Sequence, residues 1–145
     1  MPDPLDRFLD AQAPVIERVR AELAAGEKRT HWMWFVFPQI AGLGHTDMAR
    51  TYALADLAEA QAFLAHPVLG PRLKGLTRLV LLTDPARSAF EIFGKPDDRK
   101  FRSCMTLFAA ADPGEPLFHQ ALARFYGGAP DPLTLDILGQ ASDGA

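Results

Sequence analysis

Two short stretches of this 145-residue chain carry the side chains best suited to chemistry. The first is Thr30-His31-Trp32-Met33-Trp34-Phe35-Val36-Phe37-Pro38-Gln39, which holds both tryptophans and two of the ten phenylalanines. Here His31 can hydrogen-bond or move a proton near neutral pH. Trp34 offers a face on which a flat ring such as a nucleobase can stack, and Gln39 can read that ring's edge. The second stretch runs from Gly94 to Phe108, with Asp97, Asp98, Lys100, Arg102 and Ser103 at its start. A helix opening there would present unpaired N–H groups and positive potential. Lys100, Arg102 and Ser103 in its first turn and a half would then hold a phosphate or carboxylate. Asp97, with His31, would supply an acid or base. The expected chemistry is binding of an anionic small molecule, nucleotide-like or nucleotide-sugar-like, with hydrolysis or N-glycosidic cleavage as the reaction class to test.

Each stretch also has a plainer reading. Trp32 with Phe35 or Val36 can plug a core while His31 caps a backbone carbonyl, since aromatics prefer interiors. The cations can form a solvated face, with Asp98 and Arg102 paired at i, i+4 for about 0.2–0.5 kcal/mol. Gly42 and Gly44, directly after the aromatic stretch, allow positive φ and a close backbone approach to a ligand. A different class of function is a protein-interaction or oligomerisation module without catalysis, in which exposed aromatics act as hot spots.

The elements that must position these residues read as helices. Pro14 opens a helix with Val15, Val19 and Leu23 on one face and Glu17, Arg18, Arg20 and Glu22 elsewhere, ended by Gly26. The aromatic stretch is expected to form a two-turn helix stopped by Pro38, with a small hairpin at 31–40 as the alternative. Asp56 and Glu59 have capping-box spacing. Leu69 to Leu82 is apolar and expected at the centre of the core. Asp98 to Ala111 carries Phe101, Met105 and Phe108 at i, i+4 and i+7 on a buried face, with Cys104 beside them as a small hydrophobe. Pro132 to Leu138 closes the fold, ended by Gly139, and residues 141–145 read as a frayed tail. The expected architecture is all-α: one domain over residues 1–140, a bundle of about seven short helices.

Composition narrows the function classes. With 48% hydrophobic residues the chain can bury a core. A net charge of −3 gives no basic surplus for nucleic acid, and no apolar run is long enough to span a membrane. The single Cys104 excludes an internal disulfide, and the acidic start lacks the pattern of a signal peptide, which favours the cytoplasm. No His pair stands at i, i+4 and no Cys-x-x-Cys exists, so neither a metal nor another cofactor is expected.

Beyond these readings, His31 to Gln39 with Gly42-Leu43-Gly44, His66-Pro67-Val68-Leu69-Gly70, Ile92-Phe93-Gly94, Asp97 to Phe108, and Pro130-Asp131 before Thr134 form a pattern. In these blocks, over about residues 4 to 139, the chain resembles domain-of-unknown-function family 1810, a family of small, mostly bacterial proteins. Members often carry the label calpastatin. Calpastatin proper is a disordered inhibitor, whereas this composition is that of a packed domain. The resemblance implies a mostly helical fold and brings no catalytic residues. It also implies that the aromatic stretch and the Asp-Asp-x-Lys-Phe-Arg-Ser block define the family. The latter is faintly similar to a Lys-Phe segment of the NADAR N-glycosidases, over too short a span to carry residues across.

Overall fold

Side-chain caps set several helix starts in this computed structural model, which describes the backbone of residues 3–143 and the side chains of residues 3–139. Asp56 accepts from Glu59 N–H at 2.8 Å. Glu59 returns its carboxylate to Ala55 N–H at 2.9 Å, one residue earlier than a capping box requires, and also meets Arg7 at 3.2 Å. The complete capping box is at Ser88, where Ser88 and Glu91 exchange bonds of 3.1 and 2.9 Å. His66 caps as well, its Nδ1 accepting from Val68 N–H at 3.1 Å and Leu69 N–H at 3.2 Å. Asp131 accepts from Thr134 N–H at 3.1 Å, with Pro132 at the first helical position. At Asp84-Pro85 the chain instead makes a turn, and the next helix waits for Ser88.

The described residues form ten helices. They are α1 (Asp6–Gln12), α2 (Ile16–Ala24), α3 (Met33–Val36), α4 (Asp47–Thr51), α5 (Leu57–Ala65), α6 (Leu69–Leu81), α7 (Ala89–Phe93), α8 (Asp97–Ala111), α9 (Pro116–Tyr126) and α10 (Pro132–Asp143). The all-α expectation holds, with ten helices among the described residues rather than about seven. No hairpin forms at 31–40. Pro38 drives Phe37 out of the helical region, to φ −120° and ψ 73°, and the chain then makes one isolated parallel bridge between Ile40 and Leu54. At the other end α10 passes Gly139 and continues to Asp143, so that glycine does not stop the helix. The expected tail therefore begins inside α10, and its last two residues lie outside the described residues.

The central helix is α8 rather than α6. Phe101, Cys104, Met105, Leu107 and Phe108 of α8 are fully buried, and α5, α7, α9 and α10 all pack against it. By contrast, α6 is amphipathic. It buries Leu69, Leu73, Leu76 and Val80, while Leu82 at its C-cap is 80% exposed. A run of rings fixes α3 to this centre. Phe37 meets Phe101 edge-on at 5.0 Å between centroids, Phe93 stacks on Phe101 at 4.6 Å, and Trp32 lies 6.2 Å from Phe37. Such pairs add about 0.5–1.5 kcal/mol each beyond their burial. Core packing therefore holds the aromatic stretch against the first turns of α8.

Candidate functional site

Burial divides the aromatic stretch in two. Trp32, Met33, Phe35, Val36, Phe37 and Pro38 are buried, whereas Trp34 and Gln39 are half-buried and His31 is exposed. The buried Trp32 indole N–H needs an acceptor, and Glu22 supplies it at 3.0 Å. Glu22 also accepts from Arg29 N–H at 2.7 Å, Thr30 N–H at 3.0 Å and the Thr30 hydroxyl at 2.6 Å. Burial alone would raise the Glu22 pKa, but these four bonds outweigh it and hold the carboxyl at about 2. By spacing alone Glu22 falls among the polar positions of α2. The signal for its true place was the unmet need of a buried indole ten residues later.

Lys28 was likewise missed. Its backbone N–H donates to Ile92 O at 2.7 Å, its ammonium lies 2.9 Å from Asp97 Oδ2, and it sits 5.1 Å from the Trp32 ring centroid. Asp97 Oδ1 faces Lys100 at 3.6 Å, and the Lys100 ammonium stands 5.1 Å from the Trp34 ring centroid. One carboxylate thus aligns two lysines, each over the face of a different tryptophan.

A hollow of about 360 Å³ opens at this point. His31, Trp34, Asp97 and Lys100, four of the seven expected site residues, line it together with Lys28 and Lys95. The other three do not join them. Gln39, Arg102 and Ser103 line a second hollow of about 250 Å³ with Arg99, Asp131 and Leu133. A single cleft containing all seven is therefore not what forms.

The second group also has bonds of its own. Arg102 donates to Ala129 O at 3.0 Å and Pro130 O at 2.9 Å, and it lies 5.8 Å from the Tyr126 ring centroid. It ties α8 to the α9–α10 connection, and the expected Asp98–Arg102 ion pair is not formed. Ser103 donates to Arg99 O at 3.2 Å and to Asp131 Oδ2 at 3.1 Å. The start of α8 is also less open than expected. Asp98 N–H donates to Gly94 O at 2.8 Å, while Arg99 and Lys100 N–H donate to Pro96 O at 3.0 and 3.2 Å. With these donors occupied, attraction for an anion at the first hollow falls mainly to side chains. Gly42 and Gly44 line neither hollow. A Cβ at Gly44 would stand 2.5 Å from that of Ala49, so this glycine permits the turn to pack on α4.

A family model described as "Protein of unknown function (DUF1810)" matches residues 2–138. The chain belongs to that family. A solved structure, the conserved hypothetical protein Rv1873 from Mycobacterium tuberculosis, is 52% identical to it. The match covers 94% of this chain and 99% of that one with a TM-score of 0.92, so this member of the family and Rv1873 share one fold. No curated protein matches the sequence.

Elsewhere in this family member, two larger hollows of about 370 and 540 Å³ flank α10. Their walls are mostly alanine, leucine, glycine and proline, with no cluster of charge. Among the described residues no three His, Cys, Asp or Glu side chains converge to hold a metal, and no helix is long and apolar enough to cross a membrane. Cys104 is fully buried, and desolvation pushes its thiol pKa well up, the opposite of what a nucleophile needs. The first hollow is thus the place where a stackable ring, an imidazole and several cations come together.

Proposed function

We propose that the hollow between Trp34 and the start of α8 binds an anionic small molecule of the nucleotide or nucleotide-sugar kind. The observation that carries this reading is the balance of charge around one partly open indole. Lys28, Arg29, Lys95 and Lys100 line the hollow against the single carboxylate of Asp97. Asp97 fixes Lys100 where it can meet a phosphate, and Trp34 offers a face to the base. The catalytic extension is hydrolysis or N-glycosidic cleavage, with the exposed His31 imidazole as the proton-transfer group and Asp97 on the same wall. The interaction-module alternative loses its main support, since most of the aromatic stretch is core.

The test is a thermal-shift and titration series with AMP, ADP-ribose, UDP-glucose and glucose 6-phosphate. A ligand at about 100 times its Kd adds about 2.7 kcal/mol to stability. At least one nucleotide should raise Tm and change tryptophan fluorescence, and Lys100→Ala and Trp34→Ala should weaken that response. Product analysis with His31→Ala checks the catalytic extension. No shift with any of these compounds, or shifts that survive both substitutions, would remove the proposal.

A further inference from the structure

The two hollows have no lining residue in common, but part of each wall comes from the same two stretches of chain. Trp34 and Gln39 belong to one short segment running from α3 through Pro38, and Lys100 and Ser103 stand three residues apart on α8, about 4.5 Å along its axis. Both hollows therefore open along the seam between the same two elements, with Phe37 packed on Phe101 in the core of that seam.

Their chemistry differs. The first hollow is cationic. The second mixes donors with an acceptor: Arg99 is exposed and forms no ion pair or side-chain hydrogen bond among the described residues, and the Gln39 amide can both donate and accept. Asp131 is its acid. Oδ2 of Asp131 is taken by Ser103, by Thr134 N–H and by the Thr134 hydroxyl at 2.6 Å, whereas Oδ1 has no bond among the described residues. A carboxylate repels a phosphate but accepts readily from a hydroxyl. Leu43 and Leu133 add apolar wall, which suits the C–H face of a sugar.

We infer that the second hollow is a subsite for a hydroxylated ring, so that the preferred ligand is a nucleoside diphosphate joined to a sugar rather than a mononucleotide. This rests on the proposal for the first hollow. Base and phosphates lie at Trp34, Lys100 and Lys95, and the sugar extends along the seam to Gln39, Arg99 and Asp131. Arg102 and Ser103 act as positioning residues, Ser103 by orienting Asp131.

Isothermal titration calorimetry with ADP-ribose against ADP, and UDP-glucose against UDP, tests the subsite. In at least one pair the sugar nucleotide should bind tenfold or more tightly than its nucleoside diphosphate. Arg99→Ala and Gln39→Ala should reduce that ratio toward one by weakening the sugar nucleotide alone. Equal affinities within both pairs, or a ratio preserved in both variants, would overturn the subsite while leaving the first hollow's proposal standing. Absence of binding by all four compounds would overturn both.

Discussion

The Lys28 ammonium meets Asp97 Oδ2 at 2.9 Å, with only 7% of the Lys28 side chain and 17% of the Asp97 side chain exposed. This contact joins the loop after α2 to the first residue of the central helix. Removing one member of a buried pair leaves the other charge without compensation, typically at about 3–5 kcal/mol. Here Lys100 still faces Asp97. Lys28→Ala should therefore cost less, about 2–3 kcal/mol, read as a lower urea midpoint at unchanged slope. A midpoint equal to wild type would show that the pair contributes nothing net.

Glu22 makes stability depend on acid pH. Its folded pKa of about 2 lies below its ordinary 4.5. A depressed carboxyl stabilises the fold above the unfolded value, and that contribution is lost as pH falls from about 4.5 toward 2. Its full size is about 3 kcal/mol, at about 1.4 kcal/mol per unit. Urea unfolding near neutral pH and at about pH 3 should show the loss in wild type, and Glu22→Gln, less stable at neutral pH, should show a shallower decline. Parallel pH profiles for the two proteins would contradict this assignment.

The two tryptophans should separate stability from binding. Trp32 is 1% exposed and bonded to Glu22, so Trp32→Ala should cost about 3–5 kcal/mol. Trp34 is half-buried, and Trp34→Ala should cost about 1–2 kcal/mol, below the range for fully buried aromatics, while removing the nucleotide response. Tm and ligand titration on both variants provide the comparison. Equal destabilisation would place Trp34 in the core beside Trp32.

Cys104 should be inert. A thiol-specific chromogenic reagent should leave the native protein unlabelled and modify one thiol in denaturant, because Cys104 is fully buried with a raised pKa. Rapid native labelling would mean that the centre of α8 opens.

What the amino-acid order determined alone is what short-range bonding decides. Asp56 and Asp131 start helices because their carboxylates reach N–H groups three residues on, and Gly94 and Gly127 end helices by adopting φ of 75° and 63°. Pro38 limits α3 because its ring constrains Phe37. Residue types also marked the aromatic stretch and the start of α8 as places where chemistry-bearing groups gather. Only the tertiary structure decided which way those groups face. It buried Glu22 beneath an indole, drew Lys28 to Asp97 across 69 residues of sequence, made α8 rather than α6 the centre and divided seven expected site residues between two hollows. Each of these outcomes depends on contacts between elements far apart in the chain. In such contacts the need to pack rings around Phe101 and to satisfy buried polar atoms such as the Trp32 indole N–H outweighs local preference.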